Sequence, residues 1–139
     1  MSEQDNKASD NVAELQTEAR NEPIASFLNM QLLELQPGYA KVSLKVLPEH
    51  QNFNGVTFGG ITMAVADQAF AYTVNSVRCP NVASQFNIHF VAPARAGDEL
   101  IAEGRVVKSG RRVSIAEMTV TNQDGKLIAK ATGTTIPLE

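Results

Sequence analysis

Apolar and polar residues alternate strictly after the Pro37-Gly38 pair, which predicts a β-strand with one buried and one solvated face. The Pro-Gly pair is a turn signal, so this strand is expected to form a hairpin with the segment 31–35. A short helix is expected from Pro23 to about Asn29, because proline suits the first position of a helix. The side chains of the buried face are Ala40, Val42, Leu44 and Val46.

A different pattern begins after Gly59-Gly60. Residues 61–77 are apolar around most of the circumference of a helix, which predicts a helix buried on several sides. The only charged residue in this segment is Asp67. The preceding segment 48–57 is rich in turn formers and predicts a polar loop, and Cys79-Pro80 ends the helix.

Four stretches of β character follow the helix, and the short connections between them favour an antiparallel meander. A hairpin, one long helix and a meander together predict an α+β fold in which a curved antiparallel sheet wraps around a central helix. This order of elements matches the hotdog architecture. The clearest turn signal is Asn-Gln-Asp-Gly at 122–125. The four stretches are residues 82–91, 99–107, 112–121 and 126–136.

Residues 1–22 differ from the rest of the chain in charge. They hold six acids and two bases, whereas the remainder holds nine acids and ten bases, so the net charge of −3 comes from this segment. Val12, Leu15 and Ala19 form only a weak helical stripe. The sequence therefore predicts a flexible acidic N-terminal tail at 1–22 and a single domain at 23–139.

The chain has 139 residues, 43% apolar and 19% charged, which fits one domain with a substantial core. One cysteine and two histidines argue against a disulfide and against a metal centre, and we expect no metal and no cofactor. The near-neutral body lacks the basic surface of a nucleic-acid-binding protein. No signal peptide or membrane span is indicated, so we expect a soluble cytoplasmic protein with no membrane or nucleic-acid partner.

Asp67 is the first candidate for chemistry. No lysine or arginine lies between Val46 and Val77, so the local sequence offers this carboxylate no cation. Burial of an unpaired carboxylate costs free energy or raises its pKa, and a raised pKa suits a general base. A structural carboxylate that pairs with a distant base is the alternative.

The glycine pair is the second candidate. Gly59 and Gly60 at a helix start leave backbone N–H groups uncovered at the positive end of the helix dipole, where a developing oxyanion is stabilised. A tight turn or close packing is the alternative role. Asp67 follows Gly59 by eight residues, which places it on the same helix face but about 12 Å further along. That distance is too long for action on one carbonyl within one chain, so a joint site requires a second subunit.

The stretch 52–60, Asn-Phe-Asn-Gly-Val-Thr-Phe-Gly-Gly, is followed by Asp67 within Ala-Asp-Gln-Ala-Phe-Ala-Tyr. Together they resemble the PaaI-like branch of hotdog acyl-CoA thioesterases, whose pattern is N-x5-H-G-G-x6-D. Val-Ala-Ser at 82–84, Phe-Val-Ala-Pro-Ala at 90–94 and Ala-Gly-Asp at 96–98 extend the resemblance over about residues 27–136. Phe58 stands where this branch usually has histidine, which removes an imidazole hydrogen bond but keeps the glycine amides.

The resemblance implies hydrolysis of an acyl-CoA substrate, with an aryl or medium-chain acyl group, at a site between subunits of a homodimer or homotetramer. By this analogy the amides of Gly59 and Gly60 polarise the thioester carbonyl. Asn52 would hold the carbonyl or the attacking water, although a turn residue is its alternative role. Asp67 of the facing chain would act as general base or nucleophile. Phe58 is expected at the pocket wall.

Four cations cluster in a predicted hairpin turn, at Arg105, Lys108, Arg111 and Arg112. A solvated turn is the default interpretation of such a cluster. The phosphates of CoA nevertheless need cations at a pocket mouth, and arginine binds phosphate with two parallel hydrogen bonds. We expect Arg111 and Arg112 to contact CoA, with Arg78 as a weaker candidate.

Two other functions fit parts of the pattern. A hotdog hydratase or dehydratase generally pairs a histidine with a carboxylate, and Phe58 argues against that chemistry. A non-catalytic module that binds or senses acyl-CoA is the alternative from another class, and the Phe58 exchange and the acidic N-terminal segment favour it.

Overall fold

The computed structural model describes residues 3–138, and within this range the chain has three α-helices and six β-strands. A short 3-10 turn at Pro48–His50 lies between the second strand and the third helix. In chain order the elements are α1 (Glu3–Ala19), α2 (Pro23–Phe27), β1 (Met30–Gln36), β2 (Tyr39–Lys45), α3 (Gly59–Asn75), β3 (Asn81–Phe90), β4 (Glu99–Ser109), β5 (Ser114–Thr121) and β6 (Leu127–Pro137).

The six strands form one antiparallel sheet in the order β1-β2-β4-β5-β6-β3. Helix α3 packs against the inner face of this sheet, mainly on β2, β4 and β5. The predicted α+β hotdog fold is confirmed, as are the 31–46 hairpin, the long helix and the turn between β5 and β6.

The predicted four-strand meander is wrong at its first step. Strands β4, β5 and β6 do follow one another, but β3 pairs with β6 at the far edge of the sheet, and β4 pairs with β2. The connection between β3 and β4 spans residues 91–98. This connection is long enough to cross from the edge to the middle of the sheet, so adjacency along the chain does not set the pairing here.

Two glycines let α3 approach the sheet closely. A Cβ at Gly104 of β4 would lie 2.2 Å from the Thr73 hydroxyl oxygen, and a Cβ at Gly133 of β6 would lie 2.5 Å from the Phe70 ring. These two glycines therefore set the distance between α3 and the sheet. The buried residues of α3 are Thr62, Val65, Ala66, Gln68, Ala69, Phe70, Tyr72, Thr73 and Val74.

One stripe of α3 is not covered by the sheet. Met63, Asp67 and Ala71 recur every four residues and are all exposed in the single chain. The expectation of a buried Asp67 is therefore corrected, because the sheet curls around only part of the helix. Met63 and Ala71, on either side of Asp67, leave apolar surface that the described residues do not bury.

The N-terminal segment also differs from the expected flexible tail, since residues 3–19 form α1. Leu15 is buried in the core, and Val12 and Ala19 pack against it. The weak apolar stripe is enough to stabilise α1 as a helix, because α1 contacts β1 and α3, which supply the matching apolar surface. Within residues 3–138, no helix is both long and apolar enough to cross a membrane.

Candidate active site

The loop before α3 is held at several points, and this fixes where the helix begins. Gln51 and Thr57 form an isolated antiparallel bridge, and Gly55 turns the chain between them with φ of +76°. The Phe58 N–H donates to the carbonyl oxygen of His50 at 2.9 Å. The predicted loop is thus an ordered turn that presents the first residues of α3.

Gly59 and Gly60 are the first two residues of α3. Their N–H groups donate to no protein acceptor in the described part of the chain, and the N-cap residue Phe58 provides no side-chain cap. Both amides therefore keep their hydrogen-bonding capacity at the positive end of the helix dipole. This arrangement suits an anionic or strongly polarised oxygen.

Two phenylalanine rings flank these amides. A Cβ at Gly60 would lie 2.4 Å from the Phe58 ring, and a Cβ at Gly59 would lie 3.3 Å from the ring of Phe90. Both rings are more than half exposed in the single chain, at 58% and 55%. Phe90 was not among the predicted site residues, because the end of an edge strand and the start of a helix approach only through the fold.

Asn52 is a turn residue, which is the alternative role that its sequence context predicts. Its side-chain oxygen accepts the N–H of Asn54 at 2.9 Å, and its own N–H donates to the carbonyl of Val56 at 2.8 Å. The side-chain NH₂ of Asn52 has no protein acceptor among residues 3–138. The turn therefore orients this amide and leaves its donor end available.

Asp67 lies on the exposed stripe of α3, on the same face as Gly59. Neighbouring protein atoms partly desolvate the carboxyl, and this raises the pKa of Asp67 above its ordinary value of 3.8. No cation pairs with this group among the described residues. The helix rise separates it from Gly59 by about 12 Å, so the two do not meet within one chain.

The β4–β5 turn gathers cations from two parts of the chain. Arg78 follows α3, and its guanidinium donates to the carbonyl oxygen of Gly110 at 3.2 Å. Arg111 and Arg112 are exposed in the same turn. Arg105 is engaged elsewhere, since its guanidinium stacks 4.6 Å from the centre of the Tyr39 ring. The predicted phosphate contacts therefore gain Arg78 as a neighbour.

His50 has a structural contact of its own. The ring Nδ1 of His50 accepts the N–H of Leu47 at 3.0 Å, which gives this residue a role in the 3-10 turn. In the part of the chain that the structure describes, no three His, Cys, Asp or Glu residues are grouped so as to hold a metal ion.

Attack on a thioester carbonyl develops negative charge on its oxygen, and free backbone amides at a helix start stabilise such charge. On a sheet wrapped around one helix, with a carboxylate of raised pKa on that helix, this chemistry is that of the hotdog thioester hydrolases. The fold and these groups are those expected of that class of enzymes.

The chain belongs to the thioesterase superfamily, whose family model matches residues 54–129. It is 32% identical to acyl-coenzyme A thioesterase PaaI of Escherichia coli over 109 residues, 78% of each chain. The structure of E. coli PaaI, from the phenylacetic acid degradation operon, matches with a TM-score of 0.87 at 29% identity, covering 97% of this chain and 96% of that one. A Streptococcus mutans protein bound to acetyl-CoA matches with a TM-score of 0.76 at 30% identity, covering 79% and 89%. The resemblance to the PaaI-like branch is confirmed.

Proposed function

We propose that this protein hydrolyses acyl-CoA thioesters to a free acid and CoA at a site shared by two copies of the chain. The observation that carries the proposal is the pair of free amides at Gly59 and Gly60 on the helix that also bears Asp67. The acyl-CoA thioesterase name of the E. coli relative and the acetyl-CoA bound to the S. mutans protein support a CoA ester as substrate.

The helix start supplies the electrostatic part of the reaction. With the thioester oxygen at the amides of Gly59 and Gly60, charge that develops during attack is stabilised by two donors and the helix dipole. The free NH₂ of Asn52 adds a third donor for the carbonyl or for the attacking water. These groups are oriented before substrate binds, so little reorganisation is needed.

Asp67 of the facing chain supplies the proton chemistry. As a general base it takes a proton from water, the hydroxide oxygen bonds to the carbonyl carbon, the C–S bond breaks, and the proton passes to the CoA thiolate that leaves. As a nucleophile its oxygen bonds to the carbonyl carbon, the C–S bond breaks to release CoA thiolate, and water then hydrolyses the anhydride and restores the carboxylate. Either route uses the charged carboxylate, whose basicity increases with its raised pKa.

The surfaces that residues 3–138 leave uncovered indicate where the second copy docks. In the described part of the chain, β3 pairs only with β6, and most of its side chains are exposed. It borders α3, whose exposed stripe carries Met63 and Ala71 beside Asp67. A homodimer across β3 and this stripe brings Asp67 of one copy to Gly59 of the other, and a homotetramer contains two such pairs.

The shared site can be tested with a mixed dimer. One chain carries Asp67→Asn, the other carries Gly59→Pro, and differential tags allow the mixed species to be purified. We expect about half of the wild-type activity per dimer, because one of the two symmetric sites retains both groups. Each variant dimer alone is the control, and a mixed dimer as inactive as these would place the whole site within one chain.

The two phenylalanine rings beside the amides line the space proposed for the acyl group. We assign Phe58, whose ring lies beside Gly60, to the pocket wall, and the ring of Phe90 lies close to Gly59. Two apolar rings favour an aryl or medium-chain acyl group over a charged one. An imidazole at position 58 would instead present a polar edge.

The cations of the β4–β5 turn are proposed to bind the CoA phosphates. For Arg111→Ala combined with Arg112→Ala, we expect the KM for acyl-CoA to rise about 10-fold or more, as for the loss of charge-assisted phosphate bonds. The KM for a small thioester without CoA should not change. Steady-state kinetics on both substrates make the comparison, with Lys126→Ala in the β5–β6 turn as a control. An equal rise for both substrates would refute phosphate binding.

Release of free thiol over a panel of aromatic, short and long acyl-CoAs tests the function as a whole. We expect turnover with at least one of these esters. A non-catalytic acyl-CoA-binding module is the second candidate, because Phe58 replaces a polar side chain at the amides. Calorimetric binding of acyl-CoA without thiol release from any ester in the panel would favour that candidate.

A further inference from the structure

Glu22 connects the N-terminal segment to α3. It lies between α1 and α2, and one oxygen of its carboxylate accepts hydrogen bonds from the side-chain amide of Gln68 and, at 2.8 Å, from the hydroxyl of Tyr72. Gln68 and Tyr72 are only 8% and 6% exposed. They are one turn apart on the helix, and each directly follows a residue of the exposed stripe, Asp67 or Ala71.

These bonds are not supported by other charges. Within residues 3–138 the only ion pair joins Arg105 and Glu103, so no cation neutralises Glu22. The carboxylate is instead held by its two donors, and bonds to an ionised acceptor are stronger than bonds between neutral groups. Without Glu22, two buried polar side chains would lose their partner, and each such loss is costly.

Space beside Glu22 permits movement once the bonds are gone. A cleft of about 490 Å³ lies beside Glu22, and its lining includes Leu15, Pro23 and Tyr72. Helix α1 packs on the core through Leu15, but the cleft leaves room beside Glu22 itself. The two hydrogen bonds of Glu22 are therefore the polar link between the N-terminal segment and α3 at this point.

We infer that Glu22 is a positioning residue that, together with the packing of α3 on the sheet, sets the rotation of the helix about its axis and thereby aims Asp67 at the facing subunit. Both donors lie off the helix axis and bond the same carboxylate oxygen, so a rotation of α3 would stretch both bonds at once. The catalytic role of Asp67 is the part of this inference that rests on the proposed function. The N-terminal segment then restrains α3, the helix that carries Asp67.

Glu22→Ala removes both bonds, and Glu22→Gln keeps one acceptor oxygen without its charge. Glu18→Gln is the matched control, because Glu18 lines the same cleft but its side chain makes no hydrogen bond among the described residues. We expect a fall in kcat of about 10-fold to 100-fold for Glu22→Ala, the scale of a small misplacement of a catalytic group, with KM changed less than twofold. Glu22→Gln should fall between this variant and wild type, and Glu18→Gln should match wild type.

Kinetics are measured at a temperature where circular dichroism shows each variant folded. A lower Tm with unchanged kcat would make Glu22 a structural anchor only and would overturn the inference. Amide hydrogen exchange over residues 63–72 provides a readout that needs no activity, and we expect faster exchange in Glu22→Ala than in Glu18→Gln. Unchanged exchange would also overturn the inference. Failure of the wild type to hydrolyse any ester would count against the proposed function alone.

Discussion

Asp67→Asn is expected to lower kcat for acyl-CoA hydrolysis by about 10²-fold to 10⁴-fold, the range that a positioned general base contributes. Asparagine keeps the size and exposure of the side chain but cannot accept a proton from water or form an anhydride. The fold should persist. A carboxylate whose pKa the fold raises destabilises the native state once it is charged, so its removal does not reduce stability at neutral pH.

The pH profile provides the second part of this test. Because the charged carboxylate is the active form, kcat of the wild type should fall as the pH decreases through the raised pKa of Asp67, with a midpoint above 3.8. The residual activity of Asp67→Asn should lack this acid limb. Asp124→Asn, in the exposed β5–β6 turn, is the matched control and should retain wild-type kinetics. Turnover by Asp67→Asn within a few-fold of wild type would remove Asp67 from the mechanism.

Gly59→Pro is expected to lower kcat by about 10²-fold to 10³-fold, as for the loss of one oxyanion donor. Proline has no N–H, yet it fits the first position of a helix. The preceding residue is already compatible, since Phe58 has ψ of 130° and residues before proline favour ψ between about 120° and 160°. The substitution thus removes the donor while leaving α3 intact, and steady-state kinetics with circular dichroism check both points.

Gly59→Ala is the control that isolates the donor. Alanine keeps the N–H and adds a Cβ 3.3 Å from the Phe90 ring, a contact that the proline ring also makes. We expect a much smaller loss of kcat for alanine than for proline. Equal losses would assign the effect to the displaced ring of Phe90 and would refute the oxyanion role of this amide.

Several features were predictable because they depend on short stretches of chain. The alternation in 40–46 reports a strand with one buried face, and the turn signal at 122–125 joins β5 to β6. The spacing of Gly59 and Asp67 follows from helix geometry alone. This spacing alone indicates that the two groups cannot act together within one chain.

The pairing of β3 was not predictable in this way. The partner of a strand depends on which edge of the sheet is free in the fold. Strand β3 pairs at the edge formed by β6, which comes last in the chain. The uncovered stripe of α3 has the same origin. The composition of residues 61–77 shows that a helix is apolar, but only the extent of the curved sheet decides which residues it covers.

Sequence alone therefore determined the hotdog order of elements and the residue types available for the chemistry, because local periodicity and spacing encode both. Only the tertiary structure brought Phe90 to Gly59, Arg78 to Gly110, and Glu22 to Gln68 and Tyr72. Each of these contacts joins residues more than 30 positions apart. Such contacts depend on how the completed sheet and its helix pack, and no local pattern in the chain specifies them.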